Sequence, residues 1–279
     1  MRAPAFAEQA PRSGPAQMIS SRLAGRLEES LNRAKADEGG AECSNRLLAM
    51  VGGVPLMSGE GVGRTVVMFS GGRDSTLAAV RLAEQGQPLL LVTVTSSHLV
   101  GIDRVSARLS ELRTLLPPGT RWLNIRQPEG LIDRYALYER TCLPCHHLYV
   151  VVAIRVARTV GAAALAFGYA GYQDAWPEQT PAATSRLADL LANEGITLHL
   201  PVYDLRSRSA AIAELEAHGL ATASLEQKCL IQTLNVTLTE AKLREQLDVW
   251  ESAIRMSLSH LQHLNLEVLA TECFEGRRP

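Results

Sequence analysis

Short apolar runs alternate with helical stretches over the central part of the chain. The apolar runs predict strands at 65–69, 89–95, 122–125, 163–167 and 197–200. The stretches between and after them predict helices at 76–85, 104–116, 146–160, 181–193 and 207–218. This alternation is typical of βαβ units, and runs that are apolar on both faces are expected where helices cover both sides of a sheet. The sequence therefore predicts an α/β fold with an open, mostly parallel sheet.

The two ends of the chain differ from this central part. The N-terminal end begins with a tail and continues as one helix and a glycine-rich linker. Near the C terminus, Thr237 and Glu240 have the spacing of a capping box, which predicts the start of a last long helix. Its apolar stripe either packs on the same domain or forms the seam of a homodimer. The predicted segments are a flexible tail 1–16, a helix and linker 17–64, an α/β domain 65–234 and a C-terminal helical extension 235–279.

Composition narrows the classes of protein that the chain can belong to. Of its 279 residues, 46% are hydrophobic and 20% are charged, which is sufficient for a sizeable core and excludes wholesale disorder. The formal net charge of −1 excludes a global basic field for nucleic acid. No apolar run approaches the roughly 20 residues of a membrane span. Five unevenly spaced cysteines and the lack of a secretory signal favour a reducing compartment, so we expect a cytoplasmic protein without a membrane partner.

The turn after the first predicted strand carries the most specific chemistry. It has the sequence Ser70-Gly71-Gly72-Arg73-Asp74-Ser75 and leads into a helix. The glycines leave room for an anion beside the backbone, and the N–H groups at the start of the helix attract phosphate. The two serines add hydroxyl donors, Arg73 adds positive charge, and Asp74 either caps the helix or helps to hold Mg²⁺. The alternative is a plain glycine turn; a Walker A loop is excluded, because GxxxxGK[ST] is absent.

In this position, between an apolar strand and a helix, the hexapeptide resembles the PP-loop of the N-type ATP pyrophosphatases. The resemblance covers residues 65 to about 234 and implies the adenine-nucleotide α-hydrolase fold. It also implies that ATP is cleaved between its α and β phosphates, that a carbonyl or carboxylate oxygen is adenylated, and that a nitrogen or sulfur nucleophile then displaces AMP. By this resemblance the loop residues bind the pyrophosphate end of ATP with Mg²⁺, and the end of the second strand, at Thr95, borders the adenosine.

Three cysteines form a second candidate site. Cys142 and Cys145 make a CxxC, and Cys229 follows 84 residues later, whereas Cys43 and Cys273 look solitary. By themselves these thiols are compatible with a metal site, an iron–sulfur cluster, a redox pair or simple packing. Their order and spacing resemble those of some tRNA 2-thiolation enzymes of the PP-loop family. That resemblance implies that the three thiolates hold a [4Fe–4S] cluster with one iron open to carry sulfur, and it makes Cys229 a candidate catalytic residue.

A second resemblance points to a different transferred group. The loop from Gly168 to Asp174 resembles the tyrosine- and aspartate-bearing loop of 7-cyano-7-deazaguanine synthases, and Asp174 is a candidate for binding Mg²⁺ or substrate. Those enzymes use a four-cysteine zinc cluster, which this chain lacks. Zinc here would take the three cysteines together with His146 or His147.

Three hypotheses follow from these motifs. The first is an ATP-dependent sulfur transferase, which the cysteine spacing favours. The second is an amide- or nitrile-forming ligase with a structural zinc, and the third is a non-catalytic nucleotide-binding module. The expected partners are ATP, a sulfur donor, and either tRNA or a small heterocyclic or carrier-bound substrate.

Overall fold

The structure is a computed structural model that describes residues 65–128, 141–231 and 236–274. All of these residues belong to one compact unit. The predicted tail, the predicted N-terminal helix and linker, and Cys43 lie outside the described residues. Within the described residues, no helix has both the length and the apolar character that crossing a membrane requires.

A six-stranded sheet forms the centre of the unit. The strands are β1 (Thr65–Met68), β2 (Leu89–Thr95), β4 (Arg121–Arg126), β5 (Ala164–Phe167), β6 (Thr197–His199) and β8 (Val268–Cys273), and a separate pair comprises β3 (Leu99–Val100) and β7 (Lys228–Cys229). The spatial order is β6-β5-β1-β2-β4-β8, and every pairing is parallel except that of β4 with β8. The chain adds strands on one side of β1 and then returns to its other side. The strand order therefore reverses between β1 and β5, which is where open α/β sheets bind ligands.

Helices cover both faces of the sheet. They are α1 (Arg73–Ala83), α2 (Ile102–Leu112), α3 (Leu143–Val160), α4 (Pro181–Asn193), α5 (Arg208–Ala217) and α6 (Glu240–Ser259). Residues of α1, α2 and α5 share one apolar core with one face of the strands, and residues of α3, α4 and α6 share the other. The prediction of an α/β fold with a mostly parallel sheet is confirmed.

Two features of the C-terminal part differ from the sequence-based prediction. The last helix begins at Glu240 with Thr239 as its N-cap, whose hydroxyl accepts a hydrogen bond from the Lys242 N–H at 3.4 Å, so the assignment of Thr237 was wrong by two residues. In addition, the extension is not purely helical, because β8 completes the sheet beside β4. The residues of β8 are all half-buried, which is expected for a strand at the edge of a sheet. Their weak apolar pattern did not predict a strand.

The carboxyl end of β5 touches the start of α1 at a glycine. A Cβ atom on Gly168 would lie only 2.5 Å from both the Cα and the N atom of Ser75, well inside the roughly 3.5–4.0 Å of normal contacts. Both partners are backbone atoms, so neither strand nor helix can yield by a side-chain rotation. Gly168 therefore fixes the distance between the two loops that flank the point where the strand order reverses.

Gly168→Ala is expected to push the Ser70–Ser75 turn away from β5. We expect the free energy of unfolding to fall by about 1–3 kcal/mol, as in overpacked cores, and any ligand of the turn to bind much more weakly. Gly161→Ala is the matched control, because Gly161 has φ +68° and open space around it. The control is expected to lose a similar amount, about 1–2 kcal/mol, through backbone strain alone while ligand binding stays normal. Urea unfolding and ATP titration of both variants provide the measurement; equal ATP affinities would contradict this role of Gly168.

Candidate nucleotide site

A cavity of about 600 Å³ opens at the carboxyl ends of β1, β2 and β5. Most of its walls come from the turn after β1, the end of β2, the aromatic residues around β5 and α3, and the segment before β7, and Leu99 of β3 and Arg208 of α5 also contribute. A cavity of this volume is within the range of small-molecule and cofactor sites. Five of the six residues of the predicted phosphate loop line it, all but Gly71.

The hydroxyl groups of the phosphate loop form hydrogen bonds within the loop. Ser70 Oγ and Ser75 Oγ lie 3.0 Å apart, Ser75 Oγ accepts the Ser70 N–H at 3.2 Å, and Ser70 Oγ accepts the Gly72 N–H at 3.2 Å. The loop runs directly into α1, so the N-terminal end of that helix faces the same region. Arg73 also holds a distant part of the chain, because its Nε donates to the Thr222 carbonyl at 2.7 Å. The motif did not predict this contact.

Asp74 is held by a tyrosine from the loop after β5. The Tyr172 hydroxyl lies 2.7 Å from Asp74 Oδ1 and 2.9 Å from Oδ2, so its proton is shared between both carboxylate oxygens. Asp74 does not cap α1, whose N-cap is Gly72 without a side-chain hydrogen bond, and that alternative is excluded. Burial raises the pKa of Asp74, while the Tyr172 hydrogen bond and the nearby Arg73 and Arg208 act to lower it. The loop after β5 therefore acts on the phosphate loop through Tyr172.

Residues 222–229, called the strap below, pass across the phosphate loop and end at the third cysteine. The Leu225 N–H donates to the Gly71 carbonyl at 3.2 Å, and arginines hold the strap from beneath. Arg104 of α2 donates to the carbonyls of Ser224 and Glu226, and Arg108 donates to that of Ala223 at 2.7 Å. Nothing in the local sequence signals this contact, because the two partners are more than 100 residues apart.

Aromatic rings form the wall of the cavity opposite β2. Tyr149 and His146 come from α3, Phe167 and Tyr169 from β5 and its end, and Trp176 from the following loop. The Phe167 and Tyr169 ring centroids are 5.0 Å apart, and the Tyr169 hydroxyl lies 2.7 Å from His146 Nδ1. Burial raises the pKa of Tyr169 well above its usual value and lowers the pKa of His146. The two groups therefore share one hydrogen bond in their neutral forms, whose direction depends on the tautomer of the imidazole.

None of the three candidate cysteines lines this cavity, although His146 and Leu99, which lie beside Cys145 and Cys229, do. Cys142 is the N-cap of α3, Cys145 lies in its first turn, and Cys229 pairs with Leu99 in the small β3–β7 sheet. Burial is the main cause that raises the pKa of Cys142 to about 12, and Glu178, Cys145 and Cys229 add to it. This electrostatic coupling puts the thiols in one neighbourhood. Over residues 65–128, 141–231 and 236–274, however, no three His, Cys, Asp or Glu side chains are arranged to hold a metal ion.

The histidines that a zinc site would need are engaged elsewhere. His147 is buried against α6, with its Nε2 2.8 Å from Ser257 Oγ, and burial lowers its pKa to about 4. His146 contacts Tyr169 as described above. The histidine beside the cysteines is instead His98, whose Nε2 lies 3.8 Å from Cys145 Sγ.

Three residues of the sequence-based prediction lie apart from the cavity or differ from their expected state. Asp174 is exposed and does not line the cavity, although its neighbours Tyr172 and Gln173 do. Thr95 also lies outside the lining, because its Oγ1 donates to Asn124 Oδ1 of β4 at 2.7 Å; Thr93 and Val94 form that wall instead. Cys273 is disulfide-bonded, so the expectation that it is solitary is wrong.

Comparison with solved structures identifies the architecture. A 4-thiouridine synthetase in complex with RNA and ATP superposes with a TM-score of 0.51 at 16% identity, over 75% of this chain and 55% of that one. The chain therefore shares the fold of this synthetase. It spans little more than half the length of that synthetase.

Two further structures are more distant. The U34-tRNA thiolase NcsA from Methanococcus maripaludis, solved with its [4Fe–4S] cluster, has a TM-score of 0.47 at 15% identity, over 80% of this chain and 79% of that one. The NMN synthetase from Francisella tularensis has a TM-score of 0.45 at 11% identity, over 72% and 87%. No protein-family model and no curated protein matches the chain.

Proposed function

We propose that this protein is an ATP pyrophosphatase that adenylates a carbonyl or carboxylate oxygen and replaces that oxygen with sulfur. The observation that carries the proposal is the Ser70–Ser75 turn in the lining of the cavity, with Cys145 and Cys229 beside the lining residues His146 and Leu99. The loop contributes hydroxyl groups and Arg73 to the cavity, while Cys142 and Cys145 lie at the start of α3 and Cys229 lies in β7. The PP-loop fold, shared with a synthetase that binds ATP, supports the nucleotide part of the proposal.

The first step breaks the bond in ATP between the α-phosphorus and the oxygen that bridges it to the β-phosphorus. The substrate oxygen attacks the α-phosphorus, and pyrophosphate leaves with the electrons of that bond. Ser70, Ser75 and the start of α1 hold the leaving phosphates, while Arg73 and Arg208 offset their charge at the same end of the cavity. Asp74 is the residue that would hold Mg²⁺, which would supply further neutralisation of the phosphates.

In the second step, a sulfur nucleophile attacks the activated carbon and AMP leaves. Cys142, Cys145 and Cys229, once brought into ligating positions, would hold an iron–sulfur cluster, since soft thiolates suit it and both other thiols act on the pKa of Cys142. Such a cluster would supply an iron that carries the sulfur. The aromatic wall would limit the access of water to the adenylated intermediate, which hydrolysis would otherwise waste.

The aromatic wall also supports a planar substrate. Tyr149 and Trp176 line the cavity and are only half-buried, so a heterocyclic base can stack against them. We therefore propose a heterocyclic base as the acceptor, presented either by tRNA or as a small molecule. A ligase with a structural zinc is less well supported, because His146 and His147 have other partners.

Metal and acid-labile sulfide analysis, on protein purified without oxygen, tests the transferred group. Iron and sulfide near four per chain are expected, together with AMP and pyrophosphate formation from ATP. Zinc near one per chain without sulfide would replace the sulfur-transfer proposal with the ligase. Absence of AMP formation with every acceptor class would leave a nucleotide-binding module.

Tyr172→Phe is expected to shift the pH dependence of AMP formation. The Tyr172 hydroxyl lowers the pKa of Asp74 against the effect of burial, so its removal raises that pKa further. A higher pKa leaves less of Asp74 ionised at a given pH, and the acid limb of the rate profile therefore moves to higher pH. If the pKa of Asp74 rises by about one unit, the ratio of its carboxylate to its acid form at a given pH falls about tenfold, which corresponds to about 1.4 kcal/mol. Tyr203→Phe is the matched control, since the Tyr203 hydroxyl bonds the Gln179 carbonyl instead; an unchanged acid limb in Tyr172→Phe would contradict the assignment.

A further inference from the structure

A carboxylate of the protein itself, that of Glu226, lies against the phosphate loop. A Cβ atom on Gly72 would lie 2.6 Å from Oε2 of Glu226, so the carboxylate packs directly on the face that the glycine leaves open. That open face is what allows a phosphate to approach the loop backbone. Glu226 also lines the cavity together with Ser70, Gly72 and Arg73.

The carboxylate of Glu226 is fixed in this position by its own strap. Ser224 Oγ donates to Glu226 Oε2, and Lys228 Nζ lies 3.3 Å from Oε1. The strap backbone is itself fixed, because Arg73, Arg104 and Arg108 donate to its carbonyls and Leu225 bonds to Gly71. A fixed backbone leaves rotation of the Glu226 side chain as the simplest way to clear the loop.

We propose that Glu226 is an internal competitor for the phosphates of ATP, which must displace its carboxylate from the loop before they can bind. The inference rests on the nucleotide site of the proposed function and adds a regulatory contact to it. Two negative groups cannot occupy the same few ångströms beside Gly72 without a large electrostatic penalty, so occupation by Glu226 and by phosphate are alternatives. The carboxylate thereby covers the loop until ATP arrives, and the apparent affinity for ATP is lower than that of the loop alone.

The test is ATP binding to the full chain, measured by calorimetry in EDTA and again with Mg²⁺. Glu226→Gln keeps the shape and removes the charge, and it is expected to bind ATP about three- to tenfold more tightly than wild type in EDTA. Ser224→Ala removes the hydroxyl that holds the carboxylate and is expected to tighten binding in the same direction by a smaller factor. Glu245→Gln, on the exposed face of α6, is the control for a change of net charge and should match wild type.

Three outcomes would overturn the inference while leaving ATP binding itself intact. Unchanged affinity of Glu226→Gln in EDTA would show that the carboxylate does not compete. Equal tightening by Glu245→Gln would reduce the effect to net charge. Weaker binding of Glu226→Gln only with Mg²⁺ would make Glu226 a cation ligand. Failure of wild type and all variants to bind ATP would instead refute the nucleotide site and the proposed function with it.

Discussion

Asp74→Ala is expected to abolish the formation of AMP and pyrophosphate from ATP. Asp74 lies in the phosphate loop, lines the cavity and is held by Tyr172 with both carboxylate oxygens bonded. Its loss removes the carboxylate that would hold Mg²⁺ at the leaving phosphates. Losing one preorganised electrostatic group at a reacting centre lowers kcat on the order of 10²–10³-fold. Release of labelled pyrophosphate under single-turnover conditions measures the effect.

Asp174→Ala is the matched control for that substitution. The sequence offers both aspartates as candidates, but the structure leaves Asp174 exposed and outside the cavity lining. We expect Asp174→Ala to keep wild-type turnover to within about twofold, as surface substitutions usually do. Loss of activity in Asp174→Ala, or normal turnover in Asp74→Ala, would reverse the assignment that the geometry supports.

Cys142→Ala, Cys145→Ala and Cys229→Ala are each expected to lose most of the iron that the wild-type chain holds. Two thiols cannot replace three as anchors of a cluster, so iron should fall from about four to less than one per folded chain. Iron, sulfide and the visible absorption band are measured on anaerobic protein. Cys142 also differs from an ordinary surface cysteine, since burial raises its pKa to about 12, and ligation would have to overcome that cost.

The matched control removes the other two cysteines together. Cys43→Ala/Cys273→Ala leaves the three candidate ligands untouched, and iron per folded chain should equal that of wild type. Its thermal stability is expected to fall, because Cys273 is disulfide-bonded. Iron retained in all three single variants would remove the shared site, while AMP formation in those variants would show that the nucleotide site is independent of it.

The secondary structure of the central part could be predicted because each element has its own local pattern. Strand β2 and helix α4 occupy the predicted residues, 89–95 and 181–193, since an unbroken apolar run and a proline-led helix with a threonine N-cap need no distant partner. Strand β8 was not predicted, because an edge strand is half-buried and lacks that apolar run. Its place in the sheet depends on the unpaired edge of β4.

The candidate site also has a part that the sequence predicts and a part that it does not. The phosphate loop is one contiguous hexapeptide, so residue order alone fixed its chemistry and its position after a strand. The contacts of Tyr172 with Asp74, of Glu226 with Gly72 and of the strap with Arg104 join residues from 98 to 154 positions apart. No pattern in the chain encodes such pairs. They form because the sheet places β5 beside β1 and because the strap returns across the phosphate loop. The order of the strands results from packing of the whole core.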